Sequence, residues 1–236
     1  MKRELVTAKE PKAPISEMFK TLRTNIQFMN SKSNRKTMLV TSISPQEGKS
    51  WISSNLAVTF AQTGKRVIII DADMRKGRQN VIFGVQNDRG LSDYLSRGKK
   101  DDLVDYIKET EVQNLFLLTA GKFPTNPSEL LVSQKTLKMI EQLEEVFDII
   151  IFDGAPTSLV TDSMILARLV DSIIIVAQYN KTKKDQLEKL KKDIQHVGGK
   201  IAGVVLNKKK CSKKGIYEKY YYADNVQMVK VKDKSL

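Results

Sequence analysis

The chain has 236 residues, 41% of them hydrophobic, with one cysteine, one histidine and a formal net charge of +13. That length suits one well-buried α/β domain with short additions, and no apolar run approaches the roughly 20 residues that a membrane-spanning helix needs. The lone cysteine, Cys211, excludes an internal disulfide framework and fits a reducing compartment, and a single histidine argues against a dedicated zinc site.

Residues 1–14 are polar, with Pro11 and Pro14, and lack the apolar core of a secretory signal, so a cytoplasmic chain with a mobile or contact-ordered leader is expected. Ser16 as N-cap predicts a helix over 16–30, with Ile15, Phe19, Leu22, Ile26 and Met29 at helical spacing. A strand over 36–42 then runs into a short loop, and a helix opens at Lys49 and continues to about Thr63, where Gly64 stops it. The β-branched run 66–71 reads as a strand buried on both faces, which completes a βαβ unit. Residues 72–90 are expected to be irregular, followed by short helices over 91–97 and 101–109. Next come a strand over 114–120, a breaker-rich loop to Pro127, and one helix from Ser128 through Leu143. The remaining elements are a strand over 147–153, a helix over 161–170, a strand over 172–177, a lysine-rich helix over 182–197 and a strand over 201–206. Strands alternating with helices predict an α/β fold: a doubly wound, mostly parallel sheet with helices on both faces, which takes ligands beyond the carboxyl ends of its strands. The expected division is a leader over 1–14, a domain over 15–207 and a flexible basic tail over 208–236.

The stretch Met38–Trp51 is a phosphate-binding loop between a strand and a helix. Unpaired N–H groups at the helix start attract anions, Lys49 can reach terminal phosphates, and Ser50 can ligate Mg²⁺. Asp71 and Asp73 follow one apolar strand and Asp153 follows another, so a parallel sheet brings all three to the edge that holds the phosphates. Ser50 and Asp153 fit the metal role, and Asp71 or Asp73 fits the base role. A strand-end aspartate alone is commonly a turn residue or cap, but three beside such a loop point to a nucleotide site. Arg75 can complete charge neutralisation, its plainer alternative being a structural ion pair. His196 and Trp51 suit packing or surface roles.

The charge is uneven: from Lys181 onward there are 16 lysines against six acidic residues. Such a surface attracts an anionic membrane, an acidic partner or nucleic acid, or simply solvates the chain. Tyr217, Tyr220, Tyr221 and Tyr222, four of the seven tyrosines, lie among these lysines. They suit either stacking on single-stranded nucleic acid or acceptance of phosphoryl groups.

The ordered set Thr41-Ser42-x-x-Pro45-x-Glu47-Gly48-Lys49-Ser50, Asp71-x-Asp73-x-Arg75 and Asp153-x-x-Pro156, with the tyrosine tail, resembles the bacterial tyrosine kinases, P-loop proteins related to Min- and Par-type ATPases. The resemblance implies ATP and Mg²⁺. Pro45, Gln46, Glu47, Gly48, Lys49, Ser50 and Trp51 would hold the phosphates through Lys49 and the loop backbone, and Asn207 would meet the adenine. Ser50, Asp71 and Asp153 would act on the metal. Lys49, Asp71, Asp73 and Arg75 would form the catalytic set, and the four tail tyrosines would be autophosphorylated in trans. Glu17, Lys20 and Arg23 occupy a Glu-x-x-Arg-x-x-Arg helix motif that implies ring-like self-association, with lysine in the middle place. The resemblance further implies a membrane adaptor that activates and recruits the chain, a cognate tyrosine phosphatase, a role in capsule or exopolysaccharide synthesis, and no nucleic-acid partner.

The sequence departs from the family at three places. Gln46 replaces a loop glycine, so a positive φ there would be strained; Gly154-Ala155 replaces Thr-Pro; and Lys20 loses the bidentate pairing of arginine. Two other readings compete. A partitioning-type ATPase carries a further lysine where this chain has Ser44, and a nucleic-acid module leaves the three acidic motifs unexplained.

Overall fold

Continuous runs of Ile, Val and Leu have no polar face, so strands built from them must be covered on both sides. The computed structural model, which describes residues 4–30, 36–97 and 101–209, arranges them that way. In chain order the elements are α1 (Val6–Lys9), α2 (Pro14–Asn30), β1 (Thr37–Ser42), α3 (Lys49–Ala61), β2 (Val67–Asp71), α4 (Gln79–Phe83) and α5 (Leu91–Ser96). There follow a 3-10 turn (Leu103–Tyr106), β3 (Lys108–Glu109), β4 (Leu115–Leu118), α6 (Pro127–Val132), α7 (Gln134–Val146) and β5 (Ile149–Asp153). The last are α8 (Asp162–Leu169), β6 (Ser172–Gln178), α9 (Lys184–His196) and β7 (Ile201–Asn207).

Among the described residues the strands form one seven-stranded sheet in the order β3-β4-β2-β5-β1-β6-β7. Only β3 runs antiparallel to its neighbour. This is the doubly wound, mostly parallel sheet that the alternation of elements predicts. β5, β2 and β4 lie on one side of β1, and β6 and β7 on the other. The loop leaving β1 therefore opens where the strand order reverses, which is where open α/β sheets take their ligands.

Alternate strand residues feed two cores. Met38, Val40, Ile69 and Ile151 pack with α3 on one face, while Leu39, Ile68, Ile70 and Phe152 pack on the other with residues of α7, α8 and α9. Every α3 residue except Trp51 is buried, so its polar side chains need internal partners. Asn55 finds them in the N-terminal leader: Thr7 N–H donates to Asn55 Oδ1 at 3.1 Å, and Asn55 Nδ2 donates to the Glu4 carbonyl at 2.9 Å. Leu5, beside them, is buried. The leader is ordered by contact over this stretch.

Several local expectations are corrected. α2 begins at Pro14, a residue suited to a first turn because its missing N–H would be unpaired anyway. Ser16, expected as the cap, is buried and donates back to the Glu10 carbonyl at 2.7 Å. The segment 72–90 contains α4. The helix expected over 101–109 is a 3-10 turn capped by Asp102, followed by β3 paired on β4. The helix expected from Ser128 is two helices, because Ser133 is extended and its side chain accepts from Thr136 N–H to start α7. The tail from residue 210 onward lies outside the described residues.

Candidate active site

The loop after β1 enters α3 through Gly48, whose φ of 100° is left-handed. A side chain there would have no room, since a Cβ would fall 2.1 Å from Asn207 Nδ2. No side chain caps α3, so its first N–H groups face the carboxyl edge of the sheet as an anion site. Gln46 takes a φ of 64°, the strained conformation its replacement of glycine predicts. Two successive carbonyls of the loop are braced from the end of β7: Lys208 Nζ donates to the Gln46 carbonyl at 2.6 Å, and Asn207 Nδ2 donates to the Glu47 carbonyl at 2.8 Å. The buried Glu47 carboxylate accepts from Ser44 N–H at 2.9 Å and from the Thr182 hydroxyl. Pro45 is exposed at the loop tip. Trp51 packs edge-on against Phe19 with ring centroids 5.2 Å apart, a packing role for its side chain.

Behind the loop, Asp71 and Asp153 are register partners on β2 and β5, and both are buried. Lys49 Nζ lies 3.0 Å from Asp73 Oδ2, 4.0 Å from Asp153 Oδ1 and 3.4 Å from Ser50 Oγ. Burial works against the Lys49 charge, but Asp153 and Asp73 more than offset it and hold its pKa above the ordinary lysine value. Burial, reinforced by the Asp153 carboxylate, pushes Asp71 up to about 8, against the opposing pull of the Gln79 N–H and Lys49. Two buried carboxylates side by side require a proton or a cation.

Asp71 Oδ1 and Asp153 Oδ1 are buried and have no hydrogen-bond partner, and Asp153 Oδ1 faces the Lys49 ammonium at 4.0 Å. Among the described residues no group of three or more acidic, histidine or cysteine side chains is arranged for a metal. These residues fit Mg²⁺, which is usually held by one or two carboxylates and keeps phosphate oxygens and water for the rest of its shell.

Arg75 sits on the first residue of α8, with Nε 3.2 Å from Asp162 Oδ2, and Asp162 Oδ1 accepts from Ser128 Oγ at 2.6 Å. The structural ion pair is thus the arrangement the chain adopts. In α2, Lys20 pairs with Glu17 at 2.7 Å and Arg23 donates to the Thr59 carbonyl at 2.8 Å, so these charges have partners within the chain. His196 is exposed and lines an apolar groove with Leu131, Met164 and Val197, away from the loop. Tyr217, Tyr220, Tyr221 and Tyr222 lie outside the described residues. Sequence reasoning missed Gln79 and Asp162. The only signal for Gln79 was its place eight residues after Asp71, and for Asp162 its place at a helix start.

The fold and the loop define a P-loop nucleotide-binding domain. Residues 38–207 match the AAA domain family. The sequence is 37% identical over 225 residues to tyrosine-protein kinase YwqD of Bacillus subtilis, covering 95% of this chain and 94% of that protein. It is 40% identical over 193 residues to tyrosine-protein kinase CpsD of Streptococcus agalactiae, covering 81% and 82%. The crystal structure of the chimerical protein CapA2B2 superposes with a TM-score of 0.82 at 36% identity, covering 87% of this chain and 90% of that one. The chain belongs to the bacterial tyrosine kinases.

Proposed function

We propose that this chain transfers the γ-phosphoryl group of ATP to tyrosine hydroxyls, chiefly Tyr217, Tyr220, Tyr221 and Tyr222 of a neighbouring copy. The observation that carries the reading is the convergence of Lys49, Ser50, Asp73 and two half-satisfied carboxylates at an uncapped helix start. Ser50, Asp71 and Asp153 would hold Mg²⁺, which neutralises charge on the phosphates when bound. The loop N–H groups orient the phosphates, and Asn207 stands at the edge where the adenine would lie.

Lys49 is paired with Asp73, and an incoming triphosphate competes for the same ammonium. Once Lys49 turns to the phosphates, Asp73 Oδ2 is released. Asp73 then accepts the proton of the acceptor phenol while the phenolic oxygen bonds to phosphorus and the bond to the ADP oxygen breaks. Asp71 is deeper and keeps one oxygen on the Gln79 N–H, which suits it to the metal.

Membrane recruitment is assigned to an adaptor's cytoplasmic tail, since among the described residues no helix is long and apolar enough to cross a membrane. The polymer would be a capsular or exported polysaccharide. Ring-like assembly through α2 would present each tail to the next copy, and a cognate phosphatase would reset it. The partitioning-ATPase reading is disfavoured by Ser44, which stands where that class carries its extra lysine.

A mixing experiment tests the reading. Chains carrying Lys49→Met supply intact tails, and chains with all four tail tyrosines changed to Phe supply the active site. Phosphate on the Lys49→Met tail supports transfer in trans. Bare tails with continued ATP hydrolysis by the second chain point to an ATPase.

A further inference from the structure

Gln79 is fully buried and touches both strand-end acids. Its backbone N–H donates to Asp71 Oδ2 at 2.9 Å, and its side-chain amide donates to Asp153 Oδ2 at 2.8 Å. The same amide donates to the Ser50 carbonyl and to Ser53 Oγ, each at 3.1 Å, while Gln79 Oε1 accepts from the Ser54 hydroxyl at 2.8 Å. The amide therefore has one orientation, with the nitrogen toward the carboxylate and the oxygen toward the serine.

The approach depends on Gly77. A Cβ at that position would stand 2.7 Å from Asp71 Oδ2, so the preceding loop can fold over Asp71 only with no side chain there. One residue thus holds one oxygen of each acid and the first turn of α3. The oxygens it does not hold, Asp71 Oδ1 and Asp153 Oδ1, are the ones that lack partners. An ordinary buried glutamine satisfies its own amide, but nothing in that role requires it to engage both acids and leave one oxygen of each without a hydrogen bond.

We infer that Gln79 is a positioning residue for the divalent cation, fixing the rotamers of Asp71 and Asp153 so that the oxygen of each that carries no hydrogen bond is left to the metal. The inference rests on the reading of Asp71 and Asp153 as metal ligands. Groups that orient ligands in this way typically change metal affinity by about 10- to 100-fold when removed.

The test uses the full chain, with Mn²⁺ binding to ADP-loaded protein read by electron paramagnetic resonance and ADP binding in EDTA read by calorimetry. Gln79→Met keeps the length and the backbone N–H. It should weaken Mn²⁺ binding by about 10-fold or more, with ADP affinity in EDTA held within about twofold. Ser54→Ala, a smaller change that frees the amide to turn, should weaken Mn²⁺ by about threefold and carries the test if Gln79→Met does not fold. Asp153→Asn probes the underlying reading: if it binds Mn²⁺ like the wild type, the ligand assignment and this inference fall together. If Asp153→Asn loses Mn²⁺ while folded Gln79→Met and Ser54→Ala bind it normally, the inference alone is overturned. Equal losses of ADP in EDTA and of Mn²⁺ in Gln79→Met would reduce Gln79 to a brace for α3 and overturn it as well.

Discussion

Asp71 makes the ligand-free protein sensitive to pH in a direction opposite to that of an ordinary paired carboxylate. Its pKa rises from 3.8 to about 8 on folding, chiefly through burial and then through Asp153. The folded state therefore holds a proton that the unfolded chain has lost. The associated stability is fully present below about pH 4 and is lost as the pH rises through 8, at about 1.4 kcal/mol per unit. Asp71→Asn removes this titration, keeps an acceptor for the Gln79 N–H, and places an amide donor where Oδ1 has no partner.

Across pH 5 to pH 8 the wild type should lose about 4 kcal/mol relative to Asp71→Asn. Urea unfolding of both proteins in EDTA without nucleotide measures it, because groups remote from the Asp71–Asp153 pair titrate alike in both. The variant should be the more stable of the two at pH 8, with the gap narrowing steadily toward pH 5. A gap of constant size over that range would show that the Asp71–Asp153 pair takes up no proton on folding, and the reasoning would fail.

Three further outcomes follow from local geometry. Arg75→Ala leaves the buried Asp162 carboxylate with the Ser128 hydroxyl as its side-chain partner and should cost about 2 kcal/mol in urea unfolding, most of it recovered by adding Asp162→Asn. Gln46→Gly relieves a left-handed residue but frees the unfolded chain, so stability should move by less than about 1 kcal/mol, whereas β-branched Gln46→Val should cost about 1–2 kcal/mol. Gly77→Ala drives a methyl against Asp71 and Ala120 and should cost about 1–3 kcal/mol, read as a lowered melting midpoint.

The sheet could be read from the sequence because 67–71 and 149–153 are apolar at every position before their aspartates, a pattern that suits only strands covered on both faces. The meeting of Lys49, Asp71, Asp73 and Asp153 was legible for the same reason, since a parallel sheet brings its carboxyl ends to one edge. The rest depends on contacts far apart in the chain. Arg75 and Asp162 are 87 positions apart, and neither announces the other. The segment around Gln79 has no apolar period; it is placed by its bonds to two carboxylates and three serines, so no local signal marks it. The break at Ser133 is hidden because apolar residues continue at helical spacing on both sides of a serine that caps. β3 is set by its pairing with β4, a contact that the two residues Lys108 and Glu109 do not show in isolation.

The decisive measurement is phosphotyrosine mass spectrometry of the full chain after incubation with ATP and Mg²⁺, with and without the cytoplasmic segment of the proposed adaptor. Phosphate should appear on Tyr217, Tyr220, Tyr221 or Tyr222 of the wild type and be lost in Lys49→Met. ATP hydrolysis that depends on Lys49 while all four tyrosines stay unmodified would contradict it.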